Sequence, residues 1–313
     1  MKLVCLDAAT LGNYDFSVFE KFGEIKLYDT TKNKEQTIER LKDADIVMTN
    51  KVMIDKEIID ASFNLKLILE TATGLNNIDV DYAKEKNIVV KNVAGYSTMS
   101  VVQHTFALIF AFLNHIPYYD QWVKNEKWCQ SPIFTDFSRI LTSIEGKKHG
   151  IIGLGSIGKE VAKISKAFGA KIYYYYSTSG ANANSEFERL ELDELLKNCD
   201  IISIHAPLND QTMNLLNLEK LELLKDDVIL INVGRGGIIN ELDLAKVMDQ
   251  KNIKVGLDVL EKEPMLENHP LLKIKNKDNL IITPHVAWAS KEAINILMNK
   301  VYENLNEWIK NGK

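Results

Sequence analysis

The sequence is poor in the features that mark secreted, metal-binding and nucleic-acid-binding proteins. Its three cysteines, Cys5, Cys129 and Cys199, are odd in number, far apart and never in a CxxC pair. This spacing does not fit a disulfide framework or a zinc cage, and it is typical of thiols in a reducing compartment. Lysine and arginine are scattered and the net charge is −5. We therefore expect no nucleic acid or anionic membrane surface as the main partner, and no metal.

Long apolar runs are also missing. The first residues, MKLVCLD, form an apolar run too short for a signal peptide, and the longest apolar stretch, 106–113, is too short to cross a bilayer. The hydrophobic share of 46% and the charged share of 26% are near globular averages. These observations predict a cytoplasmic globular protein without a membrane span.

Strand-like and helix-like segments alternate in two separate series along the 313 residues, which is about two domains of chain. In the first series, from residue 2 to 93, five short apolar runs are separated by amphipathic, charge-dotted segments. The second series starts at residue 147 and contains six strand-like runs: HGIIGLG, AKIYYYYS, DIISIHA, DVILINVG, IKVGLDV and NLIITPH. Six parallel strands are what two mononucleotide-binding halves require. The pattern predicts an α/β fold with two doubly wound parallel-sheet domains.

Between the two series the sequence predicts a long helix and an irregular arm. The helix covers 99–116, is nearly all apolar and is expected to end at Pro117. The following stretch, 118–145, has no clear period and contains Trp122, Trp128 and Phe134. An arm of this length favours a homodimer in which it contacts a second subunit, while packing on its own chain stays open. A final amphipathic helix, Ser290 to Lys310, fits either domain.

A glycine-rich loop opens the second series. The run Ile151 to Gly158 matches GxGxxG directly after a strand and at the start of a helix, which is the context that gives the motif its meaning. The first glycine permits a tight turn, the second lets the backbone approach a pyrophosphate, and the third lets the helix pack closely on the strand. The predicted cofactor-binding residues of this loop are Gly153, Gly155, Ser156, Ile157 and Gly158.

The turn that follows the second strand of this series is expected to contact the adenosine ribose. It contains Tyr176, Ser177 and Thr178, with neither the carboxylate that usually holds the ribose of NAD nor a cation for the extra phosphate of NADP. We take NAD as the cofactor and leave NADP open.

Three ionisable residues follow three later strands of the same series. Arg235 lies in GRGG after DVILINV, Glu263 lies in EKEP after IKVGLDV, and His285 follows NLIITP. The carboxyl ends of parallel strands are where such sheets bind ligands. Histidine titrates near neutrality, a carboxylate stabilises its protonated form, and arginine binds a carboxylate or polarises a ketone. Together they predict an enzyme that reduces a 2-keto acid.

Over essentially its whole length the sequence resembles the D-isomer-specific 2-hydroxyacid dehydrogenases, on the motifs GLGSIG, GRGG, LDVLEKEP and TPH. The resemblance implies that Arg235 orients the substrate, that Glu263 pairs with the acid/base His285, and that Asp258 contacts the nicotinamide amide. Further cofactor contacts are expected from His205, Pro207, Val233 and Gly234. It also implies a Rossmann domain, 99–286, inserted into a flavodoxin-like substrate domain, 1–98 plus 287–313, to which the last helix returns.

The resemblance also suggests the substrate. TATGLNNID, 71–79, is similar to the family's substrate-carboxylate loop, in which N–H groups around Thr73, Gly74 and Leu75 would grip the carboxylate. The segments NVAGYSTMSVVQHTFAL, YYYSTSG and PHVAWAS resemble the glycerate dehydrogenase (hydroxypyruvate reductase) branch, and Trp288 would wall a pocket for a three-carbon acid.

Hydroxypyruvate/D-glycerate and glyoxylate are therefore the expected substrates. A D-lactate-type or broad 2-ketoacid reductase and a dinucleotide-sensing corepressor stay open as alternatives. A formate dehydrogenase is disfavoured because that class pairs its histidine with glutamine, where this sequence has Glu263.

Overall fold

A computed structural model describes residues 1–176 and 186–312 of the chain. These residues form two compact units, the first comprising Met1–Ser97 and Ala289–Lys313 and the second Thr98–Trp288. The boundaries expected from the sequence were 98/99 and 286/287. Each unit is built on its own parallel sheet, as the alternation of strands and helices predicts.

The first unit contains a five-stranded parallel sheet with the order β2-β1-β3-β4-β5. Its strands are β1 (Lys2–Cys5), β2 (Glu24–Leu27), β3 (Ile46–Thr49), β4 (Leu67–Glu70) and β5 (Val89–Lys91). This is the flavodoxin-like order, in which the chain reverses direction across the sheet between β1 and β3. All four residues of β3 and of β4 are buried, as expected for inner strands covered on both faces.

Three short helices of the first unit begin at side-chain caps. They are α1 (Lys34–Leu41), α2 (Lys56–Ala61) and α3 (Val80–Glu85). Asn33, Asp55 and Asp79 each accept a hydrogen bond from a main-chain N–H of the first turn. Such caps satisfy N–H groups that have no partner inside the helix, and they fix where each helix starts.

The second unit contains a seven-stranded parallel sheet with the order β12-β11-β10-β9-β6-β7-β8. Its strands are β6 (Lys148–Ile152), β7 (Lys171–Tyr175), β8 (Glu188–Arg189), β9 (Ile201–Ile204), β10 (Ile229–Asn232), β11 (Lys254–Leu257) and β12 (Leu280–Ile282). The doubly wound parallel fold is confirmed. The sequence predicted six strands rather than seven because β8 is a two-residue, exposed edge strand with no apolar run.

The helices of the second unit are α4 (Thr98–Leu113), α5 (Ile116–Lys124), α6 (Ser156–Ala167), α7 (Leu192–Asn198), α8 (Leu218–Glu222) and α9 (Glu241–Gln250). The prediction of one helix over 99–116 ended by Pro117 is wrong. The chain breaks at His115, whose φ is 49°, and Pro117 lies in the first turn of α5. Proline is tolerated there because the N–H groups of a first turn have no intrahelical partner. The first part of the expected irregular arm is therefore helical.

Across the described residues, no single helix is long and apolar enough to span a membrane. α4 and α5 together meet the length and composition requirement, but a bend of 59° separates them. The apolar side chains of α4 pack in the core of the second unit, among them Val102, Ile109 and Phe112.

The C-terminal helix, α10 (Lys291–Lys310), is part of the first unit. It begins at a Ser290 cap, packs against β4 and buries a stripe of apolar residues, Leu297, Met298, Val301 and Leu305. Its Tyr302 contacts the Phe19 ring edge-on, and Asn304 donates a hydrogen bond to the carbonyl of Asn92. The last helix therefore belongs to the first unit and not to the second.

Candidate active site

The glycine loop after β6 is shaped by three glycines with three different constraints. Gly153 has a φ of 101°, and a Cβ there would lie 2.5 Å from the main-chain nitrogen of Ala206. A Cβ on Gly158 would overlap the carbonyl oxygen of Gly153, so only glycine lets α6 start this close to the loop. A Cβ on Gly155 would meet nothing within 4 Å. The space beside Gly155 is therefore open, as the motif requires if a phosphate is to approach the main chain there.

The N-terminus of α6 faces the same open space without a protein cap. Gly155 occupies the cap position and provides no side-chain acceptor, unlike the caps of α1, α2 and α3. The first-turn N–H groups of a helix carry partial positive charge and bind anions. The loop and the helix start thus fit the diphosphate of a dinucleotide.

Three strand ends meet around Ala206. Gly153 approaches its nitrogen, and a Cβ on Gly234 would lie 3.0 Å from its carbonyl oxygen. These are the ends of β6, β9 and β10, so the sequence-predicted cofactor residues on them are brought together. Val233 is buried and Pro207 is exposed. Tyr176 has a φ of 64°, and its hydroxyl accepts a hydrogen bond from Asn209 Nδ2 at 3.0 Å. Ser177 and Thr178 lie outside the described residues.

The ring of His205 is linked by side-chain hydrogen bonds to buried residues of β6, β9 and α6. Its Nε2 lies 2.9 Å from Ser203 Oγ, which also contacts His149 Nε2 at 2.8 Å, while His149 Nδ1 contacts Ser165 Oγ at 2.8 Å. Burial lowers the pKa of both histidines to about 3, so both imidazoles are neutral at pH 7. The buried Nδ1 of His205 has no hydrogen-bond partner among the described residues. These two neutral rings connect β6, β9 and α6 next to the glycine loop.

The turn that carries Arg235 is fixed by Asn232, the last residue of β10. The Asn232 side chain accepts a hydrogen bond from Gly234 N at 3.0 Å and donates one to the carbonyl of Arg235 at 2.9 Å. One guanidinium N–H of Arg235 donates to the Gly234 carbonyl at 2.8 Å. Because the guanidinium has five N–H donors, the remaining ones stay available for an anion or a ketone oxygen.

The next loop carries Glu263 and interlocks with the Arg235 turn. A Cβ on Gly236 would overlap the carbonyl oxygen of Leu260, so the two loops touch main chain to main chain. Glu263 Oε1 accepts a hydrogen bond from Leu260 N at 3.1 Å, which orients the carboxylate. The loop is also anchored by Glu241, which accepts from Glu261 N and lies 2.8 Å from His269 Nε2.

The third loop brings His285 onto Glu263. Glu263 Oε2 lies 2.7 Å from His285 Nδ1. His285 has a φ of 53°, a conformation uncommon for residues other than glycine, among which Asn, Asp and His adopt it most readily. Because an ionised carboxylate only accepts hydrogen bonds, the proton of this contact belongs on Nδ1 and the histidine Nε2 is left for another partner.

Asp258 builds the turn in which His285 lies. This carboxylate is 1% exposed, and it accepts hydrogen bonds from Thr283 Oγ1 at 2.6 Å and from the main-chain nitrogens of Val286 and Ala287 at 2.9 Å each. His104 Nε2 lies 2.9 Å from the same threonine hydroxyl. The carboxylate therefore holds both sides of His285 in place, and its predicted contact to a nicotinamide amide stays a prediction.

In the first unit, the loop 71–79 presents main-chain donors that have no acceptor. The N–H groups of Thr73, Gly74 and Leu75 donate no hydrogen bond within the described parts of the chain. The loop is pinned at its side by Thr73 Oγ1, which donates to the carbonyl of Val93 at 2.9 Å. Asn92 donates in turn to the carbonyl of Thr73. Unpaired N–H groups on a pinned loop suit a carboxylate.

Comparison with known proteins agrees with this arrangement. Residues 106–287 match the model of the D-isomer-specific 2-hydroxyacid dehydrogenase NAD-binding domain. The chain belongs to this family. A hydroxypyruvate reductase from Blautia hydrogenotrophica is 39% identical over 316 residues, covering 99% of this chain and 97% of the relative. A glycerate dehydrogenase from Methylorubrum extorquens is 34% identical, covering 98% and 96%.

Among solved structures, a D-lactate dehydrogenase from Aquifex aeolicus, complexed with NAD and lactic acid, superimposes with a TM-score of 0.85. It is 27% identical, and the match covers 99% of this chain and 96% of that one. This 2-hydroxyacid dehydrogenase therefore has the fold, the reaction class and the nicotinamide dinucleotide cofactor that its motifs indicate. The expectation of an oxidoreductase of this family is confirmed.

The structure of this dehydrogenase brings together the three ionisable residues singled out in the sequence, since Arg235, Glu263 and His285 lie on loops that touch one another. Trp288 follows in the same turn as His285 and packs against the core of the second unit. No group of three or more His, Cys, Asp or Glu suited to a metal occurs in residues 1–176 and 186–312.

Sequence reasoning missed the residues that support this site, and they are Asn232, Glu241, His104, Thr283 and Glu70. Most of them carry no motif of their own. A buried polar residue directly at the end of a strand was the available signal, because Asn232 and Glu70 both end strands of otherwise apolar residues.

Proposed function

We propose that this enzyme reduces a small 2-keto acid, hydroxypyruvate or glyoxylate, to the D-2-hydroxy acid. The observation that carries the proposal is the 2.7 Å contact between His285 Nδ1 and Glu263 Oε2, on a loop interlocked with the Arg235 turn. The named relatives that act on hydroxypyruvate and glycerate support the substrate class.

In this proposal His285 is the acid. Its protonated ring donates one hydrogen bond through Nδ1 to Glu263 and a second through Nε2 to the carbonyl oxygen of the substrate. When bound, the reduced nicotinamide supplies a hydride to the carbonyl carbon. The Nε2 proton passes to the oxygen and the alcohol forms. The neutral histidine keeps its Nδ1 proton, because the Glu263 carboxylate accepts a hydrogen bond from Nδ1–H. In the oxidation direction Nε2 takes the proton back.

Each unit, taken by itself, carries groups that suit the substrate. Arg235 would bind the carboxylate or the ketone oxygen with the guanidinium donors left free by its contact to Gly234. The N–H groups of Thr73, Gly74 and Leu75 would bind the carboxylate. Trp288 would limit the room for the substrate's third carbon, which favours short acids.

The cofactor would be held by the loop Gly153–Gly158 and the N-terminus of α6. The open space at Gly155 and the missing cap are the observations that fit a diphosphate there. His205, Pro207, Val233 and Gly234 would wall it, and Asp258 would meet the nicotinamide amide. Tyr176, Ser177 and Thr178 would meet the ribose or the 2′-phosphate, so NAD is proposed and NADP is the alternative.

We also propose a homodimer formed through the arm 118–145. Large apolar side chains on it are exposed, namely Trp128, Ile133, Phe134, Phe137, Ile140 and Leu141. Such a cluster is unusual on a monomer surface. Replacing Phe134 and Phe137, 88% and 81% exposed, with serine should convert the dimer to a monomer in light scattering. Phe63→Ser, 89% exposed in the first unit, is the control and should leave the mass unchanged.

A cytoplasmic location is proposed on the strength of three free cysteines, of which Cys5 and Cys199 are buried and Cys129 is exposed. Neither nucleic acid nor a membrane is proposed as a partner, given the scattered cations.

The function is tested by following NADH and NADPH oxidation with hydroxypyruvate, glyoxylate, pyruvate and 2-ketoglutarate. Preference for hydroxypyruvate or glyoxylate supports the proposal, and preference for pyruvate moves the enzyme to the D-lactate type. Comparable rates with all four indicate a broad reductase. Dinucleotide binding without turnover of any acid would overturn the proposal in favour of a sensing role.

The role of His285 is tested with His285→Asn, because asparagine tolerates the positive φ of this position. Turnover should fall by about two to four orders of magnitude while cofactor affinity stays similar. His115→Asn is a matched control, since His115 has a φ of 49° and lies outside the proposed site. Nearly intact activity in His285→Asn would refute the assignment.

A further inference from the structure

Glu70 is a fully buried carboxyl group directly before the loop 71–79. It is the last residue of β4 and is 0% exposed. Its Oε2 accepts a hydrogen bond from Asn77 Nδ2 at 3.1 Å, and its Oε1 has no hydrogen-bond partner among the described residues. A buried carboxyl group with one unsatisfied oxygen is costly, so its presence beside a proposed ligand loop calls for a functional reason.

Asn77 turns this contact into a brace across the loop. Its Nδ2 also donates to the carbonyl of Val52 at 3.1 Å, and its own carbonyl accepts from Ile54 N at 2.7 Å. The residue thus connects the end of the loop to the segment after β3, while Glu70 precedes the start of the loop. The N–H groups of Thr73, Gly74 and Leu75 lie between these two anchors.

The surroundings of Glu70 favour its neutral form. Burial raises the pKa of Glu70 to about 8, and the nearby Asp7 acts in the same direction, while the Asn77 hydrogen bond and Lys51 oppose it. Asp7 is itself 5% exposed, and burial raises its pKa also. The Glu70 carboxyl is therefore neutral below about pH 8 and ionised above it.

Among the described residues, Asp7 and Lys51 are the charged groups that act on the pKa of Glu70. On the neighbouring strand β5, Lys91 is directed to Glu307, with 3.8 Å between the charged atoms. The helix α10 packs against β4 with its apolar stripe.

We propose that Glu70 is a positioning residue for the substrate carboxylate: it braces the loop 71–79 through Asn77, and a negative charge on it opposes the anionic substrate. The inference rests on the proposed function of this loop. Uniform weakening of substrate binding raises KM and leaves kcat unchanged, because Glu70 touches none of the groups that exchange the proton.

The test is the pH dependence of KM and kcat for hydroxypyruvate between pH 6 and 9.5 in wild type and Glu70→Gln. The KM of wild type divided by that of Glu70→Gln should be near one at pH 6.5 and should rise to about ten at pH 9.5. This is the effect expected of one buried charge on a nearby anion. The kcat values should agree throughout. Glu85→Gln, an exposed carboxylate on α3 of the same unit, is the matched control and should follow wild type.

A second measurement needs only the wild type, in case the variant does not fold. The KM of an uncharged ester of the same 2-keto acid should not rise through pH 8, whereas that of the acid should. A KM ratio independent of pH, a change confined to kcat, or equal rises for acid and ester would each overturn the role of Glu70. Absence of turnover with every 2-keto acid at every pH would instead refute the proposed function itself.

Discussion

Replacing His149 with glutamine should make the second unit less sensitive to acid. His149 lies on β6 with no exposed surface, and both of its ring nitrogens contact serine hydroxyls, Ser165 and Ser203. Burial lowers its pKa to about 3 from an ordinary value of 6.5. Between pH 6.5 and 3, His149 therefore binds a proton in the unfolded chain but not in the folded chain. Stability is lost as the pH falls from 6.5 towards 3, and it is fully present above 6.5.

The size of this loss follows from the difference between the two pKa values. Each pH unit below 6.5 costs about 1.4 kcal/mol for one such histidine, so His149 alone removes about 2 kcal/mol between pH 6.5 and 5. His205 acts in the same direction, with a pKa also near 3. In His149→Gln the first contribution disappears, since glutamine does not titrate, whereas the second stays.

Urea unfolding at pH 7, 6 and 5, followed by tryptophan fluorescence, measures this difference. Three of the four tryptophans, Trp122, Trp128 and Trp288, report on the second unit. The free energy of unfolding of wild type minus that of the variant should fall by about 2 kcal/mol from pH 7 to 5. Parallel pH profiles for the two proteins would refute the reasoning, because they would mean that His149 titrates alike in the folded and unfolded chains.

Three further predictions concern the proposed catalytic loops. Asp258→Asn replaces an acceptor with an N–H donor where only acceptors fit, so it should cost about 3 kcal/mol in urea unfolding; an unchanged midpoint would contradict the hydrogen-bonding scheme. Gly236→Ala forces the main chain of Leu260 away by about 1 Å, and kcat with hydroxypyruvate should fall about a hundredfold; full activity would mean that the loops move independently. Arg235→Lys loses the fork of donors, and KM should rise about tenfold or more; an unaltered KM would exclude this residue from substrate binding.

The alternation of strands and helices was readable because parallel strands are buried on both faces and appear as continuous apolar runs. ILIN in β10 and IVMT in β3 are examples, and both are fully buried. The break between α4 and α5 was not readable, because two polar residues, Asn114 and His115, also occur inside amphipathic helices, and Ile116 resumes the apolar pattern. The edge strand β8 was missed because two exposed residues carry no period.

The candidate site shows the same division. Residues with strong chemistry at strand ends, such as Arg235 and His285, stand out in a sequence because their position alone predicts convergence. Their supports depend on which side chains meet in space. Nothing in the spacing of Asp258 and residues 283–287 indicates that one carboxylate holds that turn, and nothing near Glu70 indicates its brace to Asn77.

The main-chain contact between Gly236 and Leu260 limits how this enzyme can be recombined with its relatives. A chimera with its crossover between β10 and β11 would combine the turn 232–237 of one parent with the loop 258–264 of the other. These two segments touch through main-chain atoms, so a small difference between the parents would disturb the contact. Segments 232–237 and 258–264 should therefore be exchanged as one block. In library design, crossovers before β10 or after β12 keep this block whole, so functional hybrids should be concentrated there.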